Sequence, residues 1–396
     1  MRSIVTLLFL ALPLCAQDPK GPPPGRPKVD QARVDAAIRK GIEFLRTHQA
    51  SVGAHRIGGR AFPYDELVLW TFIHAGVPES DPMFQLLQKA MLEKTLEATY
   101  NVSLQAMILE AMDRVKFQPR LQQCAQFLVD NQCKDGEWTY GQPTLFAEGT
   151  PTVAGRPDVA SGKGTKPKEA DPLLPVTQRE KPKVVRHVTV KKMREGPASG
   201  DHSNSQYAAL GLRACHDAGV HAAPEVIRLA QRAWRDLQHR EEARTPGGDG
   251  GWCYAADDDS CTPYGSMTAG GTGSVAIYDY ILGEDWRKDR SVLRGLDWMA
   301  RNFTVTDNPG RPDRKFYYYL YSLERMGMLY GTETVGRHDW YPEGVDFLLT
   351  AQGPDGSWAA KTQVNPLRDT CFAILFLRRA TRPLQDVPSV DRTQKR

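Results

Sequence analysis

Gln352-Gly353-Pro354-Asp355-Gly356-Ser357-Trp358 has a near copy far upstream, Gln132-Cys133-Lys134-Asp135-Gly136-Glu137-Trp138, with Gln, Asp-Gly and Trp at one spacing. Each copy follows an amphipathic run, Leu348-Leu349 in one case and Leu128-Val129 in the other. Asp-Gly supplies the positive-φ turn that stops a helix, and Trp then falls on the connection to the next segment, where its ring can wedge between neighbours. The Gln amide, donor and acceptor at once, can bond backbone left exposed at adjoining helix ends. A looser version, Gly247 to Tyr254 (GGDGGWCY), follows a helix that ends near His239. The repeat is a staple at helix corners, and it reports architecture rather than chemistry.

The flanking segments alternate in character. One set is amphipathic, as in Val34, Ile38, Ile42 and Leu45, or Val292, Leu296 and Met299, with charged residues on the other faces. The other set is apolar nearly all round: Leu67–Ile73, Leu104–Met112, Tyr207–Leu212, Ser274–Leu282, Tyr317–Leu323 and Cys371–Leu377. Such helices must be enclosed. The spacing predicts helices over 30–48, 63–75, 80–94, 98–113, 118–132, 202–218, 223–240, 266–282, 288–302, 315–329, 339–351 and 367–380. Half-exposed and enclosed helices taking turns in six pairs imply an inner ring inside an outer one, an all-α (α/α)6 toroid.

The Gln…Asp-Gly-x-Trp repeat at outer-helix ends resembles that of the squalene/hopene cyclase and protein prenyltransferase superfamily, a family of α/α toroids with terpenoid cyclase-like members. The resemblance covers nearly all of the chain after its first segment, apart from one insertion. It implies fold more than activity, because a fold hosts many functions. Class II cyclases of that superfamily carry Asp-x-Asp-Asp at an inner-helix start. The nearest cluster here is Asp257-Asp258-Asp259, which precedes Pro263 and lacks the spacer. Three adjacent carboxylates in a loop call for solvent, a cation such as Ca²⁺, or raised pKa values. Protein prenyltransferases hold Zn²⁺ with Asp-x-Cys and a His from the next inner helix. Asp369-Thr370-Cys371 matches the first two, while the next inner helix starts Phe62-Pro63-Tyr64-Asp65-Glu66 without His; His55 precedes it. A carboxylate and one thiolate are too few for Zn²⁺, so Asp369 also reads as a helix-start acid and Cys371 as a small buried residue.

In such a ring the inner helices run one way, and their N-termini converge on one mouth. Residues at those starts are Tyr64, Asp65, Tyr100, Asn101, His202, Asn204, Gln206, Ser266, Thr268, Tyr317, Tyr318 and Asp369, which are expected to line one cavity. His202, Asp369 and the loop at Asp257–Asp259 are the candidate catalytic groups, and Asp369 with Cys371 the candidate metal ligands. Aromatic rings among amides and carboxylates suit a polyprenyl chain or a carbohydrate. Asp201, Ser203 or Asn204 can instead simply cap a helix. Gly270, Gly271 and Gly273 fall inside an enclosed helix, with neither a preceding strand nor a P-loop Lys, so close packing explains them better than nucleotide binding.

Met1-Arg2, the apolar run Ile4–Leu14 and Ala16 have the form of a secretory signal peptide over residues 1–16, with cleavage expected near Ala16-Gln17. Lipid attachment at Cys15 is the alternative. A Pro-rich linker (17–29), a toroid domain (30–380) and a polar tail (381–396) follow. The insertion 141–200 turns rich in Pro, Gly and Lys and is expected to be flexible. Its residues 161–200 hold ten Lys or Arg against four Asp or Glu, which suits a solvated excursion or an arm for an anionic envelope partner. Lys183–Met193 alternates enough for a short strand. Net charge over the 396 residues is only +4, giving no drive toward nucleic acid, and no segment is long enough to span a membrane. Cys253 and Cys261, which bracket one loop, are the first pair expected to form a disulfide. Two functions compete: a cell-envelope binding or scaffold protein without cyclase chemistry, or an enzyme on an isoprenoid or carbohydrate ligand.

Overall fold

The computed structural model describes residues 29–48, 64–143, 175–239, 249–255, 261–312, 314–362 and 365–385, and the backbone of a two-stranded hairpin, β1 (Arg56–Ile57) and β2 (Arg60–Ala61). Six enclosed helices form the inner ring: α2 (Tyr64–Ala75), α4 (Thr99–Asp113), α6 (His202–Asp217), α8 (Gly265–Leu282), α10 (Phe316–Tyr330) and α12 (Pro366–Arg378). Each packs on the next, and α12 packs on α2, so the ring closes. The outer helices are α1 (Gln31–His48), α3 (Pro82–Glu93), α5 (Gln118–Asp130), α7 (Pro224–Asp236), α9 (Arg290–Arg301) and α11 (Trp340–Ala351). Most bury one face only, as α9 buries Val292, Gly295, Trp298 and Met299; α5, which packs against β3 as well, has no exposed residue. In α12, by contrast, every residue from Asp369 to Leu377 is buried. The chain is an (α/α)6 toroid, because only an inner ring leaves a helix no wet side.

Three corners share one set of bonds. The indole N–H of Trp138, Trp252 and Trp358 donates to the carbonyls of Leu128, Trp234 and Leu348 at 2.7, 2.8 and 2.9 Å. Their backbone N–H groups donate to Ser205, Thr268 and Thr370 of the inner helix that follows. The Gln amides reach the next outer helix, Gln132 to Val226 O at 2.8 Å, Gln238 to Ser291 O at 2.9 Å and Gln352 to Ala37 O at 2.9 Å. Gly136, Gly250 and Gly356 take positive φ there, and a Cβ on any of them would lie 2.5–2.7 Å from a carbonyl of that helix. The third Gln stands twelve residues before its Gly rather than four, because the connection is longer, and so it escapes the sequence pattern.

Gln352 to Ala37 is also the bond that shuts the ring. Asn365 Nδ2 to Tyr64 Oη at 2.8 Å and Arg378 to Asp35 at 3.3 Å reinforce it at the two ends of the seam. Inside α8 the glycines serve packing, as expected: a Cβ on Gly270 would strike Gln206 of α6, and one on Gly271 would strike Trp252. Cys253 and Cys261 form a disulfide, while Cys124, Cys133, Cys215 and Cys371 are free and buried.

The second half of the insertion, 175–200, runs as a strap along the toroid. Its strand β3 (Val188–Val190) pairs in parallel with β4 (Val220–Ala222), Thr189 opposite His221. Arg194 bonds the Asn131 side chain, Lys181 bonds the Glu110 carboxylate, and Met193 N–H donates to Asp130. Part of the insertion's positive charge is thus spent on the toroid itself. Residues 1–28, 144–174 and 386–396 lie outside the described residues, and with them the expected signal peptide (1–16), nearly all of the expected linker (17–29) and most of the expected tail (381–396).

Candidate functional site

The short corners make outer and inner helices alternate in direction, so all inner helices begin at one mouth of the ring and end at the other. At the front mouth, where they begin, nearly every polar group expected to line a cavity is already engaged. Asp65 and Glu66 are both bonded by Lys94, and Glu66 also accepts from Asn101 at 2.8 Å. Burial pushes the Glu66 carboxyl above its ordinary range, with Lys94 opposing. Tyr64 accepts from Asn365, and Thr268 serves the Trp252 corner. Ser266 exchanges bonds with Asn308, Asn204 bonds the Asp201 that caps α6, and Tyr317 packs edge-on to Phe316.

His202 points away from the axis. It stacks on Trp234 of outer helix α7, ring centroids 4.4 Å apart, and is almost wholly buried. Its Nδ1 lies 2.7 Å from the Cys253 carbonyl, an acceptor only, so Nδ1 carries the proton and Nε2 is a bare acceptor. Facing Nε2 at 3.2 Å is a Glu137 carboxylate oxygen, buried beside Trp138. Burial, with the Asp135 and Asp201 charges, pushes Glu137 up to about 8, and burial holds His202 down to about 4. A protonated Glu137 donating to a neutral His202 satisfies both groups. The pair welds two corners, and as a candidate acid/base His202 has no path to the axis.

Asp369 and Cys371, the candidate metal ligands, each have partners within the toroid. Arg368 and the Ala360 N–H take the Asp369 oxygens. The Cys371 thiol is fully buried against Thr71, and burial pushes it up to about 12. Among the described residues no group of three or more His, Cys, Asp and Glu could hold a metal ion. Asp257, Asp258 and Asp259 lie outside the described residues, as does His55.

Only Tyr100, Gln206 and Tyr318 of the expected set meet on the axis, around a residue that sequence reasoning missed. Arg325, 3 % exposed, sits 4.4 Å from the Tyr321 ring centre, 5.4 Å from that of Tyr207 and 5.7 Å from that of Tyr318. It donates to Gln206 Oε1 at 2.7 Å and to Ser322 at 2.9 Å. Tyr100 packs on Tyr207, Phe372 on Tyr321, and Trp70 donates its indole N–H to Tyr321. Five of the six inner helices thereby fill the middle of the ring. The guanidinium is kept charged by the surrounding rings and amide.

Behind this plug, at the rear mouth, lies a cavity of about 400 Å³. Trp70, Met107, Leu210 and Val176 of the strap supply its apolar lining. Its charged lining comes from Lys181 of the strap, Arg213 of α6 and Arg378, Arg379 and Arg382 at and beyond the end of α12. Glu110 takes Lys181 at 2.6 Å and Arg382 at 3.5 Å, and Asp217 takes Arg213 at 3.6 Å and the Tyr280 hydroxyl at 2.9 Å. Burial, with Arg382 and Arg114 nearby, lowers Lys181 to about 8. His74 is lowered to about 3 by burial and by Lys181, Arg382 and Arg378. A signal existed: basic residues cluster at Arg378-Arg379 and Arg382, but cations at a helix C-terminus are expected for the dipole alone.

No family model matches this chain, and no curated protein matches it. Among solved structures, the GH76A α-1,6-mannanase from Salegentibacter sp. HEL1_6 superposes with a TM-score of 0.51 at 9 % identity, covering 88 % of this chain and 98 % of the mannanase. The type II terpene cyclase MstE from Scytonema gives a TM-score of 0.34 at 11 % identity, covering 89 % and 99 %. The class that fold and comparison define is the α/α toroid. The mannanase likeness is one of fold alone.

Proposed function

We propose that this chain is an exported toroid of the cell envelope that binds a ligand without cyclase chemistry, and that the rear cavity is its binding site. The observation carrying this reading is the Arg325 plug. It occupies the axial space in which a toroid enzyme would enclose substrate, while the front-mouth acids are held by Lys94 and Arg368. At the rear, Glu110 and Asp217 are each held by cations rather than facing each other across open space. Such a lining grips a ligand but offers no free acid and base. Export rests on the leader alone. Among the described residues no helix is long and apolar enough to cross a membrane.

Two measurements test the proposal. Lipid and glycan extraction from natively purified protein, read by mass spectrometry, should yield a small molecule that Leu210→Trp, which fills the cavity, no longer retains. Turnover of squalene, a prenyl donor or an α-mannan by the purified chain would overturn the binding reading. Sequencing the N-terminus of secreted protein should begin near Gln17; an intact Met1 in the cytosol would refute export.

A further inference from the structure

We infer that the rear cavity is an oxyanion site, taking a small organic anion through a phosphate, sulfate or carboxylate group held by Lys181, Arg213, Arg378, Arg379 and Arg382. The inference rests on the proposal that this cavity is the working site, and it names the ligand's chemistry. Six cationic side chains line the cavity against two carboxylates, Glu110 and Asp217, an excess of four formal charges. Arg179 also pairs with Glu79, and Arg378 with Asp35, which leaves an excess of two.

Helix ends explain only part of this lining. Arg378 Nη2 reaches the Ala75 carbonyl that ends α2, Arg114 that of Asp217 ending α6, and Lys181 that of Glu110 near the end of α4. Those donors serve the dipoles. Arg379 does not. It follows α12 with φ 46°, lies 4.5 Å over the Tyr341 ring, and has no carboxylate within ion-pair distance among the described residues. Around the cavity two buried atoms, Arg378 Nε and His74 Nε2, lack a hydrogen-bond partner, whereas Arg213 gives its two Nη groups to the Arg382 and Pro383 carbonyls and turns Nε to Asp217, and Arg379 is exposed. Buried polar atoms are almost always satisfied, so the unpaired Arg378 N–H on the cavity wall calls for an acceptor.

An oxyanion supplies that acceptor, and guanidinium forks match the planar or trigonal oxygens of carboxylate, sulfate and phosphate. Lys181 is lowered by burial first and by Arg382 and Arg114 nearby, although Glu110 pairs with it. The rest of the ligand meets Trp70, Met107, Leu210 and Val176. A flat or apolar body attached to the anionic head therefore fits, in a volume at the small end of the roughly 300–1,000 Å³ of ligand pockets. Lys181 and Val176 come from the strap, so the strap completes the site.

Calorimetric titration of the full chain with phenyl phosphate, phenyl sulfate and benzoate, against neutral phenyl glucoside and farnesol, tests the inference. At least one anion should bind and both neutral probes should not. The tightest anion identifies the head group. Binding should weaken at least tenfold in Arg379→Gln/Arg382→Gln, while the melting temperature without ligand stays unchanged. For the unaltered chain, raising ionic strength should weaken binding as well, a readout that survives if the variant folds poorly. Should farnesol or the glucoside bind as tightly as the anions, the oxyanion assignment falls and the cavity remains the site. If no probe binds and Leu210→Trp still retains a co-purifying molecule, both readings fall.

Discussion

The two mouths of the ring are built from the same helices and do opposite things with charge. At the front, acids and amides are tied into corners: Asp65 and Glu66 to Lys94, Asp369 to Arg368, Glu137 to His202. At the rear, beside the cavity, Arg378 keeps an unpaired Nε and Arg379 is exposed with no carboxylate at ion-pair distance among the described residues. A polar group that has found all its partners is structure, and one that has not is available to a ligand. The front mouth keeps unpartnered oxygens of its own, Asn101 Oδ1 and Asn204 Oδ1, so the contrast is one of charge: its acids are held by cations, while the rear lining carries cations in excess.

The contrast predicts where damage falls. Trp358→Ala removes a fully buried indole and its bond to Leu348 at the ring seam, so chemical denaturation should show a loss of about 3–5 kcal/mol. A loss under about 1 kcal/mol would deny the corner its role. Gln352→Ala leaves the Ala37 and Gly356 carbonyls without that amide and should cost about 1–3 kcal/mol by the same measurement. Arg379→Gln, at the rear, should leave unfolding unchanged within about 0.5 kcal/mol while altering ligand retention. If it destabilises as Gln352→Ala does, the rear mouth is structural too.

pH separates the regions further. Glu137 has its folded pKa raised to about 8, so the native state binds its proton more tightly than the unfolded chain, and stability drains as pH rises from the ordinary carboxylate range through 8. His202 and His216, both lowered to about 4, are neutral when folded, and stability drains as pH falls from about 6.5 toward 4. Between about 4.5 and 6.5 the two effects oppose each other. Melting should therefore decline from pH 6.5 to 8, with Asp279 and Glu324, each raised to about 7, adding to its lower part, and Glu137→Gln, which keeps a donor facing His202, should lessen the decline between 7 and 8. A wild-type profile flat from 6.5 to 8 would show Glu137 to be ionised in the native state.

The fold was legible because its signal is redundant. A helix such as Cys371–Leu377 has no polar face to turn outward, and the Trp corners mark where three of the six outer helices stop. Gln238 was not legible, since a longer connection separates it from Gly250. The site was harder for a different reason. N-termini of enclosed helices attract attention, yet Tyr64, Asp65 and Thr268 are consumed by neighbours that sequence distance hides, Tyr64 by Asn365 across the seam. Arg325, inside an aromatic run, reads as the wet side of a helix until the ring wraps around it. Arg213, Arg378, Arg379 and Arg382 come from two segments that are remote in sequence and adjacent only because the chain beyond α12 reaches α6, where Arg213 donates to the Arg382 and Pro383 carbonyls.

Gln352 holding Ala37 has a consequence for how the chain could be cut and rejoined. A stack of helix pairs with two free ends needs special terminal units to cover its exposed faces. Here the last pair covers the first, and Arg378 lies beside Asp35. No pair is terminal, so a linker joining the two ends, with a new opening at an exposed turn elsewhere, should yield a circular permutant with the same barrel.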